Sequence, residues 1–257
     1  MIEDLGWLAD VNLAHTSALV ARLGGGPVEQ FGPLQLAVTG IPVAFFNGAY
    51  LTAPVEDPDG CVRQAIEFMA PAGVPWLLWV REGVDDAVLD AARRAGLRDA
   101  GGPPAMGLAP IPSIPTPPTG LEITAVVTDA ASVDAHCELL SRAFEMPAEI
   151  AHHLVNEQTV ADPTVAVVIG HVGGEPVSTA LVCVSGSTAG VYNVATAPEH
   201  QRKSYGTALT WAAVAEGQRR GCNHAILQTS PAGQTIYEAM GFVHLGRYVQ
   251  LEGPPGT

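Results

Sequence analysis

The stretch TAPEHQRKSYGTALT, residues 196–210, holds the residues best spaced for chemistry. A strand-like run, GVYNVA (190–195), leads into it, and an alanine-rich run with helical spacing follows. Between them come Pro198, a series of polar side chains and Gly206. One reading is an ordinary tight connection. The other is an anion cradle, in which the unpaired N–H groups of a helix's first turn, aided by the helix dipole, converge on a phosphate. Arg202 and Lys203 are two of only 12 Lys and Arg in the chain, and finding both at this turn favours an anion. A second group comprises Glu145, Glu149, His152, His153 and Glu157. Glu149 and His152 are three residues apart and so share one face of a helix. His152 and His153 face different ways, and no Cys/His set with ligand spacing accompanies them, so no metal site is expected.

These residues need a frame. The sharpest shift in composition is GGPPAMGLAPIPSIPTPPTG, residues 101–120. Its prolines cannot continue a helix or a central strand, and they favour a stiff, extended connector. Residues 109–120 are therefore read as a linker between an N-terminal domain, 1–108, and a second domain, 121–257. In the second domain LEITAVV (121–127) reads as a strand and 129–144 as a helix capped by Thr128 or Asp129. Residues 147–160 read as another helix. TVAVVIGHV and PVSTALVCVSG form a hairpin across Gly173-Gly174. GVYNVAT is the next strand, 204–220 a helix ended by Gly221, HAILQT a strand and 231–240 a short helix, before FVHLGRYVQLE closes in strands. The first half carries a helix over 2–23, strands LQLAVTG and PVAFFNGAYL, a helix over 58–70, strand PWLLWV and a helix over 85–95. Both halves end in helix, glycine, apolar residue and strand, which fits an internal duplication. The expected fold class is α+β, two halves that each hold a mixed, mostly antiparallel sheet flanked by helices.

Over roughly 121–252 the second half resembles the GNAT superfamily of acyl-CoA-dependent N-acyltransferases. The family motif Q/R-x-x-G-x-G/A, between the fourth strand and the following helix, reads here Gln201-Arg202-Lys203-Ser204-Tyr205-Gly206. VATAPEH precedes it, TALT follows it, and LQTSPAGQTIYEAMGF comes later. The layout is similar to tandem members with a degenerate N-terminal half and an active C-terminal half. The resemblance implies acetyl-CoA as co-substrate, with its pyrophosphate at Gln201, Arg202, Lys203, Ser204, Tyr205, Gly206 and Thr207. Ser204 departs from the pattern where glycine is usual, and its hydroxyl can cap the helix or meet a phosphate oxygen. Val194, Ala195 and Thr196 match the strand end that, in the family, pairs with the pantetheine arm. Tyr237 matches a tyrosine whose hydroxyl meets the departing sulfur. A phenol with a pKa of about 10 is protonated at neutral pH and suits a general acid. Ser230 falls near the leaving group by the same resemblance, while its own setting equally suits a cap for the helix opening at Pro231. The acceptor ammonium must lose a proton before it attacks a thioester. The fourth strand offers Tyr192 and Asn193 but no carboxylate, which leaves Glu145, Glu149, His152 and Glu157 as candidate bases, with Glu149 carried into the catalytic set beside Tyr237 and Ser230. Glu199 and His200 read as surface residues.

Composition narrows the partners. Hydrophobic residues make up 47% of the 257, enough for one large core or two small ones. The formal net charge of −14 argues against nucleic acid or an anionic membrane surface and suits a cationic acceptor, either a small amine or a lysine or N-terminus of a protein. MIEDLGWLADVNL has no basic start and apolar core of a signal peptide, and no run approaches a membrane span. Cys61, Cys137, Cys183 and Cys222 form no C-x-x-C pair and read as reduced, buried thiols of a cytoplasmic protein. The expected function is transfer of an acetyl group from acetyl-CoA to a primary amine by direct attack in a ternary complex. The rivals are a non-catalytic acyl-CoA-binding or sensing module and a scaffold protein. In the first half, REGVDD leads into a helix with acids that oppose pyrophosphate, so the cofactor is expected in the second half alone. The first half would complete the acceptor cleft or stabilise the fold, with Asn47 facing either that cleft or solvent.

Overall fold

The computed structural model describes residues 2–125 and 127–253, so Val126 of the expected strand 121–127 and residues 254–257 lie outside it. In chain order the first elements are α1 (Ile2–Leu23), β1 (Val28–Phe31), β2 (Leu34–Val38), β3 (Asn47–Leu51) and α2 (Pro58–Met69). Then come β4 (Leu77–Arg81), α3 (Asp86–Arg94), β5 (Arg98–Asp99) and β6 (Pro104–Leu108). After the proline-rich segment follow β7 (Glu122–Ala125), α4 (Ala130–Phe144), α5 (Ala148–Leu154) and α6 (Glu157–Ala161). The chain continues through β8 (Val165–Val172), β9 (Glu175–Ser185), β10 (Thr188–Thr196), α7 (Tyr205–Arg219) and β11 (His224–Gln228), and ends with α8 (Gln234–Ala239) and β12 (Val243–Glu252).

Two compact units divide these elements: Met1–Gly107 with Gln228–Thr257, and Leu108–Leu227. The division differs from the boundaries drawn at the proline-rich segment, because the chain after Gln228 groups with the N-terminal residues. The reason is β12. It pairs antiparallel with β4, from Tyr248↔Arg81 to Glu252↔Leu77, and on its other edge with β5 and β6. The first unit is thus ordered β1-β2-β3-β4-β12-β6, with β5 beside β12. Its core joins Leu36, Leu78, Val249 and Leu251 of the sheet to Val62 and Met69 of α2 and Val88 and Leu89 of α3. Strand β1 had no clear signal in VEQF, whose residues are mostly exposed.

Asn47 faces neither a cleft nor solvent. It is fully buried. Its Oδ1 accepts from Thr39 N at 2.9 Å, Thr39 Oγ1 at 3.1 Å and Gly40 N at 3.3 Å, while Nδ2 donates to the carbonyls of Ile41, Pro75 and Val43. The amide satisfies backbone that has left the ladder between β2 and β3. Elsewhere in the same unit, at the far end of β4, Arg81 donates to both Asp10 oxygens (3.0–3.2 Å) and Tyr248 OH donates to Asp10 Oδ1 at 2.7 Å, all out of solvent. Burial still pushes the Asp10 carboxyl up from its ordinary value, against the pull of Arg81.

The second unit is ordered β11-β10-β9-β8-β7, parallel between β10 and β11 and antiparallel elsewhere. The β8–β9 hairpin turns on Gly173 (φ 60°) and Gly174 (φ 87°), the paired positive torsions a two-residue loop demands. Neighbouring residues of a strand point to opposite faces. Thr179 meets His136 of α4, whereas Ser178 meets Thr196, which lies against Gly206 of α7. Hence α4 and α7 cover opposite faces of this sheet. Helix α7 docks through Leu209, Ala213 and Val214, and Gly217 lets it come close: a Cβ there would sit 2.4 Å from that of Ala189. Asp129, not Thr128, caps α4 by accepting from Ser132 N. The helix expected over 147–160 is two, because the Asn156 side chain accepts from the N–H groups of Gln158 and Thr159 and restarts the chain in a capping box. Burial on both sides of the break is preserved, so the apolar pattern conceals it.

Candidate functional site

The parallel ladder of β10 with β11 runs from Thr188↔His224 to Gly190↔Ile226. Strand β10 goes on to Thr196, held on its other edge by β9 at Ala195↔Thr179 and Thr196↔Ser178. A bulge lies between Tyr192 and Ala195, where Asn193 takes φ 54°. Val194, Ala195 and Thr196 therefore form a strand end with one edge past the last ladder pair with β11, to which an extended chain can add by backbone hydrogen bonds. That end is braced. Buried Ser178 Oγ donates to the Ala195 carbonyl at 2.8 Å, so Thr196 Oγ1, 2.8 Å away, donates to Ser178.

The chain leaves β10 through a short 3-10 turn, Pro198–His200, and reaches α7 by way of two left-handed residues, Arg202 (φ 60°) and Ser204 (φ 61°). Alternating torsions of this kind turn successive N–H groups to one side, as in anion-binding nests. Ser204 is the residue before the helix, yet its side chain makes no capping hydrogen bond. Its expected capping role is not the one it plays: it stands in the torsion that explains the usual glycine, and its hydroxyl is exposed. Gln201, Arg202 and Lys203 are exposed too, and Tyr205, Gly206 and Thr207 half-buried. A Cβ on Gly206 would meet Thr196 Oγ1 at 3.4 Å and Val194 Cγ1 at 3.8 Å, ordinary contacts that leave the helix start open. The Glu199 carboxyl beside the turn is held below its ordinary value by a backbone hydrogen bond and by Arg142, which pairs with it at 2.5 Å and offsets its charge. The proline-rich segment is no free tether. Pro115, Pro117 and Pro118 line a cavity of about 410 Å³ with Ser204, Thr207 and Trp211.

The remaining site residues lie elsewhere. Ser230 and Tyr237 belong to the first unit. Ser230 Oγ accepts from Gly233 N at 3.2 Å, which fastens the turn ahead of α8, and that helix starts at Gln234, later than expected. Tyr237 is half-buried, edge-on to Phe242 with centroids 5.8 Å apart. In the second unit, Glu149 is exposed on α5, one turn before His152. A cavity of about 440 Å³ between the first turns of α4, the end of α5 and the start of α6 is lined by Asp134, His152, Asn156 and Glu157 and not by Glu149. His152 Nε2 lies 3.8 Å from Asp134 Oδ1 there. Asp134 was missed because it reads as one more polar residue on an amphipathic helix. The four cysteines are free and buried, and no described helix is long and apolar enough to cross a membrane.

Residues 133–242 match the family model described as the acetyltransferase (GNAT) family. No curated protein matches the chain. Among solved structures, a GCN5-related N-acetyltransferase from Kribbella flavida superposes with a TM-score of 0.73 at 20% identity, covering 96% of each chain. A tandem GNAT protein from the clavulanic acid biosynthesis pathway gives 0.65 at 17%, covering 97% of this chain and 95% of that one. A GCN5-related N-acetyltransferase from Sphaerobacter thermophilus gives 0.62 at 16%, over 88% and 78%. At these identities the likeness is one of fold, and it extends over both halves.

Proposed function

Because residues 133–242 carry a domain of the GNAT acetyltransferase family, we propose that the chain transfers an acetyl group from acetyl-CoA to a primary amine. The observation that carries this reading is the left-handed turn at Arg202 and Ser204, opening α7 beside a strand end that runs past its ladder with β11. Pyrophosphate would sit on the N–H groups of 201–207 and the pantetheine arm along Val194, Ala195 and Thr196. The amine nitrogen attacks the thioester carbonyl carbon, the C–S bond breaks, and the thiolate takes a proton. Tyr237 is assigned as its donor and Ser230 as a neighbour of the leaving group, both on their place in the sequence motif. Glu149 or His152 takes the ammonium proton, directly or through water, and His152 is favoured by its place on the cavity with Asp134 and Glu157. Those acids and the net charge of −14 suit a cationic acceptor. The acids at the starts of α2 and α3, with Asp57 capping the one and Asp85 standing just before the other, support a single cofactor site, in the second half.

Calorimetric titration with CoA should give one site per chain. Gly206→Asp should abolish that binding while Gly206→Ala, which has room for its methyl, remains folded. Two equivalent sites, or unchanged affinity in folded Gly206→Asp, would sink the reading. The absence of a carboxylate on β10 favours a second reading, an acyl-CoA-binding module without transfer. An amine panel with acetyl-CoA separates the two, since only an enzyme releases CoA thiol in proportion to acetylated amine. With an acceptor in hand, Tyr237→Phe should lower kcat about 10²-fold and leave CoA affinity intact.

A further inference from the structure

His136 lies on the inner face of α4, wholly removed from solvent. Its Nδ1 is 2.7 Å from Thr179 Oγ1. That hydroxyl donates its one hydrogen to the Val168 carbonyl at 2.9 Å, so toward His136 it can only accept. The imidazole proton is therefore on Nδ1, and Nε2 carries a lone pair. Among the described residues nothing hydrogen-bonds that buried Nε2. A buried acceptor of this kind marks either an unseen donor or a function.

Thr179 is the register partner of Ala195, the residue that closes the β10 bulge. Helix α4 packs on β9 and β10. A bulge leaves one residue outside the ladder, with backbone groups that need partners. We propose that His136 is a positioning residue, fixed by Thr179 as the Nδ1–H tautomer, whose Nε2 accepts a hydrogen bond from a water that bridges to the backbone of the β10 bulge. The pair thereby holds the strand end on which the acetyl thioester is to be aligned, a role that rests on the function proposed above. Burial holds the imidazole pKa down to about 3, so the ring stays neutral at working pH and acts by accepting a hydrogen bond, not by taking the amine's proton. A water with one strong acceptor and backbone partners is a common way to satisfy such a site.

The tautomer and the water are tested without any acceptor. Long-range ¹H–¹⁵N spectra of the full chain should show His136 protonated at Nδ1 alone, with exchange contacts from water to its ring. A proton on Nε2 would overturn the proposal. In Thr179→Val the preference for Nδ1–H should weaken. In kinetics, His136→Phe and Thr179→Val should lower kcat roughly tenfold or more with CoA Kd changed less than about twofold, and His136→Gln, which keeps an acceptor, should recover part of the loss. Unchanged kcat in folded variants would show that the histidine only packs and would overturn the proposal while the acetyltransferase reading stands. Should His136→Phe not fold, Thr179→Val and the spectra decide. Failure of the parent protein to bind CoA would sink the function instead, leaving the tautomer to be judged by its spectra.

Discussion

Ser204 shows how one residue can carry a site and a strain together. A side chain in the left-handed region costs about 1–2 kcal/mol, which glycine escapes at the expense of greater freedom in the unfolded chain. Ser204→Gly should therefore raise stability by roughly 0.5–1 kcal/mol, read as an upward shift in the urea midpoint. A fall would mean that the serine hydroxyl contributes more than the torsion costs. The turn was legible in the sequence because Arg202, Lys203 and Gly206 crowd into the junction of a strand and a helix. The torsion was not, since a serine ahead of a helix reads first as a cap. His136 was hidden for a related reason: one imidazole in an amphipathic helix says nothing of a threonine 43 positions later.

Elements were legible where their pattern is local. The long α1, the Gly-Gly hairpin and α2 behind its Asp57 cap follow from periodicity and turn chemistry alone. The break at Asn156 rests on a local capping box that the unbroken apolar pattern conceals, and the role of Asn47 depends on partners outside its local run, so neither was legible. Asn47 knits the crossing from β2 to β3, and its amide meets Pro75 near the start of β4 as well. Asn47→Ala would strand several buried backbone groups at once, each worth about 1–3 kcal/mol, with partial relaxation. The expected loss is about 3–5 kcal/mol in chemical denaturation. A loss under about 1 kcal/mol would mean that water or a shifted loop takes the amide's place.

Across the molecule, His136 should add its own pH dependence to stability. Its native pKa of about 3 lies below the 6.5 of an exposed histidine. As pH falls below 6.5 the unfolded chain takes up a proton that the native state refuses, so stability drops by about 1.4 kcal/mol per pH unit until the native group titrates. Between pH 7 and 5 the parent protein should lose about 2 kcal/mol more than His136→Phe. Equal losses would mean that the ring charges in the folded protein. The destination of β12 belongs to the same scale and could not be read from sequence, because VHLGRYVQLE fits any sheet that lacks a strand. Ending the chain at Gly241 would remove the strand between β4 and β6. The residues of the first unit should then yield to limited proteolysis while Leu108–Leu227 resists it. Equal resistance in both would show that β12 is dispensable.

That returning strand also has a consequence for synthesis. Arg81 and its neighbours in β4 leave the ribosome long before Val243 does, and at about 5–20 residues per second the wait is on the order of ten to thirty seconds. During that time β4 presents an open, apolar edge, of the sort that recruits other chains. The first-made sheet is thus the last completed, and the first half of the chain cannot close that sheet without the final segment of the second.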